Sequence, residues 1–193
     1  YKRQADDRAM IESVRRGTDR PLRIDANEGW TDRETAIREI EWLAGQNVEF
    51  IEQPLPATRF EDLVWLKERS PLPLIADESV CRLDDLDGLE SAFHGVNVKL
   101  SKCGGLRAAK QLFHQARQRG LSVMIGCMVE SSCALAAAAQ IAPLADYVDL
   151  DSNLLVVDDP FEGQPVRNGK IVLNQLPGLG VICRQDIVAG VAK

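Results

Sequence analysis

Short apolar runs alternate with amphipathic stretches along almost the whole chain. Six runs read as strands: residues 21–27 (PLRIDAN), 48–54 (VEFIEQP), 73–79 (PLIADES), 95–101 (GVNVKLS), 122–128 (SVMIGCM) and 147–152 (YVDLDS). Between them, apolar positions three and four apart predict helices over 31–46, 59–70 and 106–120. In the first of these, Thr31 is the expected N-cap, Glu34 completes a capping box and Gly45 lies near the end. The strands begin roughly 22 to 28 residues apart, the length of one βα unit. Strands alternating with helices imply a parallel sheet with right-handed crossovers.

A doubly wound open sheet and a (β/α)8 barrel both share that pattern. No G-x-G-x-x-G follows the first run, which weakens a nucleotide-binding open sheet. The glycine pair of KCGGL (102–106) reads as a tight turn before a helix. The strand ends decide. The runs finish on Asp25, Glu52, Asp77 and Lys99, and the last carries Asp149 and Asp151. An open sheet would spread these groups along an edge at about 4.8 Å per strand. A barrel gathers the carboxyl ends of all its strands around one mouth, where active sites are built. Alternation along an extended strand turns Asp149 and Asp151 to one face, and likewise Asn97 and Lys99, with Lys102 beyond the strand in the turn.

Composition removes several function classes. The 193 residues are 45% apolar, enough for a substantial core, and the net charge of −6 is interspersed. No basic footprint suits nucleic acid. No run approaches the roughly 20 apolar residues that span a bilayer, and CALAAAAQIA (133–142) is too short. No signal peptide is visible. Five cysteines (Cys81, Cys103, Cys127, Cys133, Cys183) form no C-x-x-C pair, which favours free thiols in a reducing compartment and a cytoplasmic location. His94 and His114 each stand alone and are read as neither ligands nor bases.

Three carboxylates in one apolar-walled mouth repel one another unless a cation sits between them. Oxygen donors without His or Cys suit a hard ion, Mg²⁺ above all. Any one of Asp25, Glu52 and Asp77 alone could equally be a helix cap. Three consecutive strands ending in acid, at separations of 27 and 25 residues, favour the shared ion.

The motifs DANEGW, EQPL, ADES and VNVKLSKCGGL, in that order, resemble the enolase superfamily in its muconate-lactonizing subgroup, over about residues 5 to 180. The resemblance implies one Mg²⁺ held by Asp25, Glu52 and Asp77, at the ends of that family's third, fourth and fifth barrel strands. Lys99 matches its general acid/base at the end of the sixth. Removing a proton α to a carboxylate creates an enediolate, which a clamped cation makes accessible, and the lysine base has to work as a neutral amine. Within the subgroup, the Asp-x-Asp of YVDLDS resembles the dipeptide epimerases, where the pair binds the free ammonium of the substrate. Cys127 would line the substrate pocket, and Glu130 stays unassigned. The reading implied is a Mg²⁺-dependent 1,1-proton transfer on a dipeptide. An o-succinylbenzoate synthase, an N-acylamino-acid racemase and a metal-binding remnant are the alternatives, and homo-oligomerisation stays open.

The same resemblance implies an incomplete TIM-type barrel, strands three to eight, without the N-terminal α+β capping domain. Residues 1–165 would be the barrel portion and 166–193 a tail returning toward that cap, with RNGK (167–170) as a hairpin turn. The first two barrel strands, the second carrying a K-x-K motif whose last lysine is the partner base, would precede Tyr1. Lys2 is too close to the start to serve.

Overall fold

The computed structural model describes residues 7–184. Lys2, and the expected tail beyond residue 184, lie outside the described residues. The chain divides into two compact units, one of residues up to Asn97 with Ala116–Ser122, the other of Val98–Gln115 with residues from Val123 on.

In the first unit, helix α1 (Asp7–Gly17) precedes strand β1 (Leu22–Asp25), followed by α2 (Arg33–Ala44), β2 (Val48–Glu52), α3 (Phe60–Lys67), β3 (Leu74–Ala76) and the start of β4 (Gly95–Lys99). The strands pair in parallel in chain order, β1 to β2, β2 to β3 and β3 to β4. Ser122, the first residue of β5 (Ser122–Gly126), extends the order by donating its amide to His94 O at 3.0 Å. Where both faces of a parallel sheet are covered, strands are buried along their length, and β3 and β4 are buried at every position. Helix α2 buries Ala36, Ile40 and Leu43, a stripe at helical spacing, and packs against α3 and β2. Gly95 allows a close approach in the sheet: a Cβ there would strike Ser122 Oγ and Ile75 Cδ1, with Ser122 O at 2.9 Å. Helix α1 buries only Ile11. It is tied to α2 by the Arg8–Glu39 ion pair at 2.9 Å and by the Arg8 guanidinium 4.9 Å above the Trp42 ring.

In the second unit, the end of β4 runs into a one-turn helix α4 (Leu100–Cys103), then α5 (Leu106–Gln118). The KCGGL turn is therefore itself helical, stopped by Gly104 and Gly105 at φ 91° and 106°, a conformation open to glycine. β5 pairs in parallel with β6 (Tyr147–Val148), and α6 (Ser132–Ile141) lies between them in sequence. Beyond them are β7 (Phe161–Glu162), β8 (Val166–Arg167), β9 (Lys170–Ile171) and β10 (Ile182–Cys183). β8 and β9 form the expected hairpin, with Asn168 and Gly169 at φ 52° and 73°, as a two-residue turn demands.

Two expectations need correction. The N-cap of α2 is Asp32, whose Oδ1 accepts from Thr35 N at 2.7 Å, while Thr31 donates to Asp32 and Glu34 pairs with Arg33. A carboxylate one residue later reaches the orphan amide more directly, so the capping box on Thr31 does not form. The sixth strand is also short. Asp149 N still donates to Ile125 O at 2.9 Å, but Asp151 has φ −118° and ψ −5° and caps a 3-10 turn over Ser152–Leu155. Asp149 and Asp151 are exposed on either side of buried Leu150. Among the described residues, no helix is long and apolar enough to cross a membrane.

Candidate active site

The carboxyl ends of β1, β2 and β3 carry the three acids. Asp25 and Glu52 are register partners, and Asp77 follows β3 directly. Glu52 and Asp77 are only 5% and 3% exposed, and Asp25 is half-buried. The backbone around them leaves the strand path early. Asn27, Glu28 and Gln53 adopt φ of 48°, 60° and 35°, left-handed values that are uncommon for residues other than glycine and cluster at functional sites.

Side chains stitch these turns together. Asp25 Oδ1 accepts from Asn27 N at 2.8 Å, and Asn27 Nδ2 donates to Glu78 Oε1 at 2.7 Å. Glu28 Oε1 accepts from Ala57 N at 2.8 Å. Gln53 is fully buried; its Oε1 accepts from Asp77 N at 2.9 Å and Ser79 N at 3.1 Å. Its Nε2 donates to Leu55 O at 2.9 Å and Ser79 Oγ at 2.8 Å. Asn97, 2% exposed, donates from Nδ2 to Glu52 Oε1 at 2.8 Å.

The electrostatics are those of an acid cluster. Burial pushes the Glu78 carboxyl above the usual range, and the charges of Asp77, Asp25 and Glu28 push it the same way. Glu78 Oε2 and Asn97 Oδ1 are buried without a hydrogen-bond partner. Among the described residues, no three His, Cys, Asp or Glu side chains form a ready-made metal cage. The donor chemistry nevertheless fits a hard divalent ion: oxygen only, carboxylate-rich and buried.

In the second unit, Lys99 ends β4 and is 9% exposed, while Lys102 is half-buried in α4. Cys127 is half-buried immediately after β5, and Asp149 and Asp151 are exposed. Glu130 N donates to Ser152 Oγ at 3.2 Å, tying the turn after β5 to the turn after β6. Asp159, 8% exposed, caps α6 by accepting from Ser132 N at 2.7 Å. His94 is structural: Nδ1 accepts from Leu74 N at 3.0 Å. All five cysteines are free thiols.

Residues 2–187 match the model of the enolase C-terminal domain-like family. The chain belongs to that family. It is 49% identical over 177 residues to the L-Ala-D/L-Glu epimerase of Bacteroides thetaiotaomicron, covering 92% of this chain and 46% of that protein. Among solved structures, the dipeptide epimerase of Cytophaga hutchinsonii, complexed with Mg and the dipeptide D-Ala-L-Val, superposes with a TM-score of 0.86 at 31% identity, over 93% of this chain and 51% of that one. The N-succinyl Arg/Lys racemase of Bacillus cereus superposes with a TM-score of 0.87 at 32% identity, over 93% and 50%. The chain spans about half the length of the curated relatives it matches.

Two residues of this candidate site escape sequence reasoning. Asn97 lies between two valines and Gln53 between Glu52 and Pro54, local contexts that do not reveal their partners. Those partners lie 24 and 45 residues away.

Proposed function

We propose that the chain is the barrel part of a Mg²⁺-dependent dipeptide epimerase. It would supply strands three to eight of a (β/α)8 barrel, residues 1–165 forming the barrel portion and 166–193 a tail toward an N-terminal capping domain. The observation that carries the reading is the succession of strand-end residues, Asp25, Glu52, Asp77 and then Lys99. Kinship with epimerases at 45–49% identity supports it.

In this reading Asp25, Glu52 and Asp77 hold one Mg²⁺ through oxygen. When bound, the ion supplies positive charge that offsets negative charge developing on the substrate carboxylate. Lys99, as a neutral amine, takes the α-proton from one face of the carbon and returns a proton to that face in the reverse direction. A second base in the rest of the polypeptide serves the opposite face, and the two together invert the stereocentre. Asp149 and Asp151 attract the substrate ammonium, and Cys127 lines the pocket. Lactones and muconate carry no cation for such a pair.

The test is incubation of the natural polypeptide that carries these residues with a dipeptide library in D₂O. Deuterium should enter one α-position with loss of stereochemistry. If no dipeptide exchanges but N-succinylated amino acids do, the chain is a racemase of the kind to which it is structurally similar, and the epimerase reading fails.

A further inference from the structure

We infer that Gln53 and Asn97 are positioning residues that set the carboxylates of the cation site. The inference rests on the metal reading above and concerns residues outside the acid triad.

A metal-binding carboxylate on a flexible side chain binds well only if its oxygens are aimed before the ion arrives. Asn97 does this for Glu52. Its Nδ2 sits 2.8 Å from Glu52 Oε1, and both side chains are buried. Only the nitrogen end of an amide can face a carboxylate oxygen, which sets the orientation of Asn97. Its Oδ1 is then buried with no partner, a cost that a residue kept only for packing would not carry.

Gln53 does the equivalent for Asp77 through the main chain. Its Oε1 receives the amides of Asp77 and Ser79, and its Nε2 anchors on Leu55 O and Ser79 Oγ. The turn leaving β3 is thereby held against the end of β2. The consecutive pair Glu52-Gln53 thus presents one acid and places the next. The left-handed backbone at Gln53, φ 35°, departs from the alternation of an extended strand. Amides suit the task because they donate hydrogen bonds without charge. A lysine would compete with the cation, and another acid would add to the repulsion.

The test measures Mg²⁺ binding by calorimetry, with thermal midpoint alongside, for the natural polypeptide and its Gln53→Met, Asn97→Leu and Leu66→Ala variants. Leu66 is fully buried in α3 and serves as a packing control. Positioning predicts Mg²⁺ affinity about 10- to 100-fold weaker in the first two, while Leu66→Ala lowers the midpoint and leaves affinity unchanged. Should Gln53→Met fail to fold, Asn97→Leu, which loses a single hydrogen bond, carries the test. A folded Asn97→Leu that binds Mg²⁺ within about twofold of the parent would overturn the inference, given the usual size of such effects. A parent that binds no Mg²⁺ would instead overturn the metal reading beneath it.

Discussion

Asp25 and Glu52 stand opposite each other as register partners on β1 and β2. Adjacent strands run about 4.8 Å apart, so two carboxylates share one end of a strand pair, with Asp77 closing the next. Like charges at that spacing oppose folding. A fourth acid, Glu78, is pushed upward by burial first, and the charges of Asp77, Asp25 and Glu28 add the same repulsion to it. Such arrangements concentrate at functional sites.

Asp25→Asn keeps the oxygen that accepts from Asn27 N and removes a charge. The expected result is Mg²⁺ affinity at least about tenfold weaker, as for loss of one oxygen donor's charge, with the metal-free thermal midpoint unchanged or raised. Titration calorimetry and melting in chelator check the two halves separately. A lower metal-free midpoint would mean that Asp25 is structural.

Asp151→Asn tests the ammonium site. The KM for a dipeptide with a free amino terminus should rise about tenfold or more, the size expected when a charge-assisted contact is lost, while Mg²⁺ affinity holds. An N-acetylated dipeptide, which offers no cation, should be handled equally by parent and variant. Equal losses of substrate and Mg²⁺ binding would remove Asp151 from the site.

His94 predicts a pH dependence of stability. Burial lowers its pKa from 6.5, and the neighbouring charge of Lys67 lowers it further. The folded protein thus favours neutral imidazole, and the unfolded chain takes up the proton first as pH falls. Stability from His94 is fully present above about 6.5 and declines below it, until the folded protein also protonates. His94→Asn retains an acceptor for Leu74 N and should flatten that decline. Urea midpoints from pH 8 to pH 5 give the comparison.

Gly95→Ala places a methyl group against Ser122 and Ile75. Overpacking of this kind costs about 1–3 kcal/mol, so the urea midpoint should fall. Ser122→Gly, which removes the Oγ in the way, should recover part of the loss.

Much of this molecule was readable along the chain because its signals are local. Each of the six strand runs contains a strand, and helices occupy the amphipathic stretches between, since apolar spacing reports which faces are covered. The four motifs pointed to the family for the same reason: each is contiguous. Choices between neighbours were beyond that reach. Thr31 and Asp32 are both good caps, and only the path of the backbone gives Asp32 the Thr35 amide. The run over 147–152 has strand-like spacing, yet the paired strand is only Tyr147–Val148 and a 3-10 helix begins at Ser152. Gln53 and Asn97 gained their hydrogen-bond partners from strand pairing. A hydrogen bond depends on a few ångströms and an angle, and for residues far apart in the chain those are settled only once the sheet has formed.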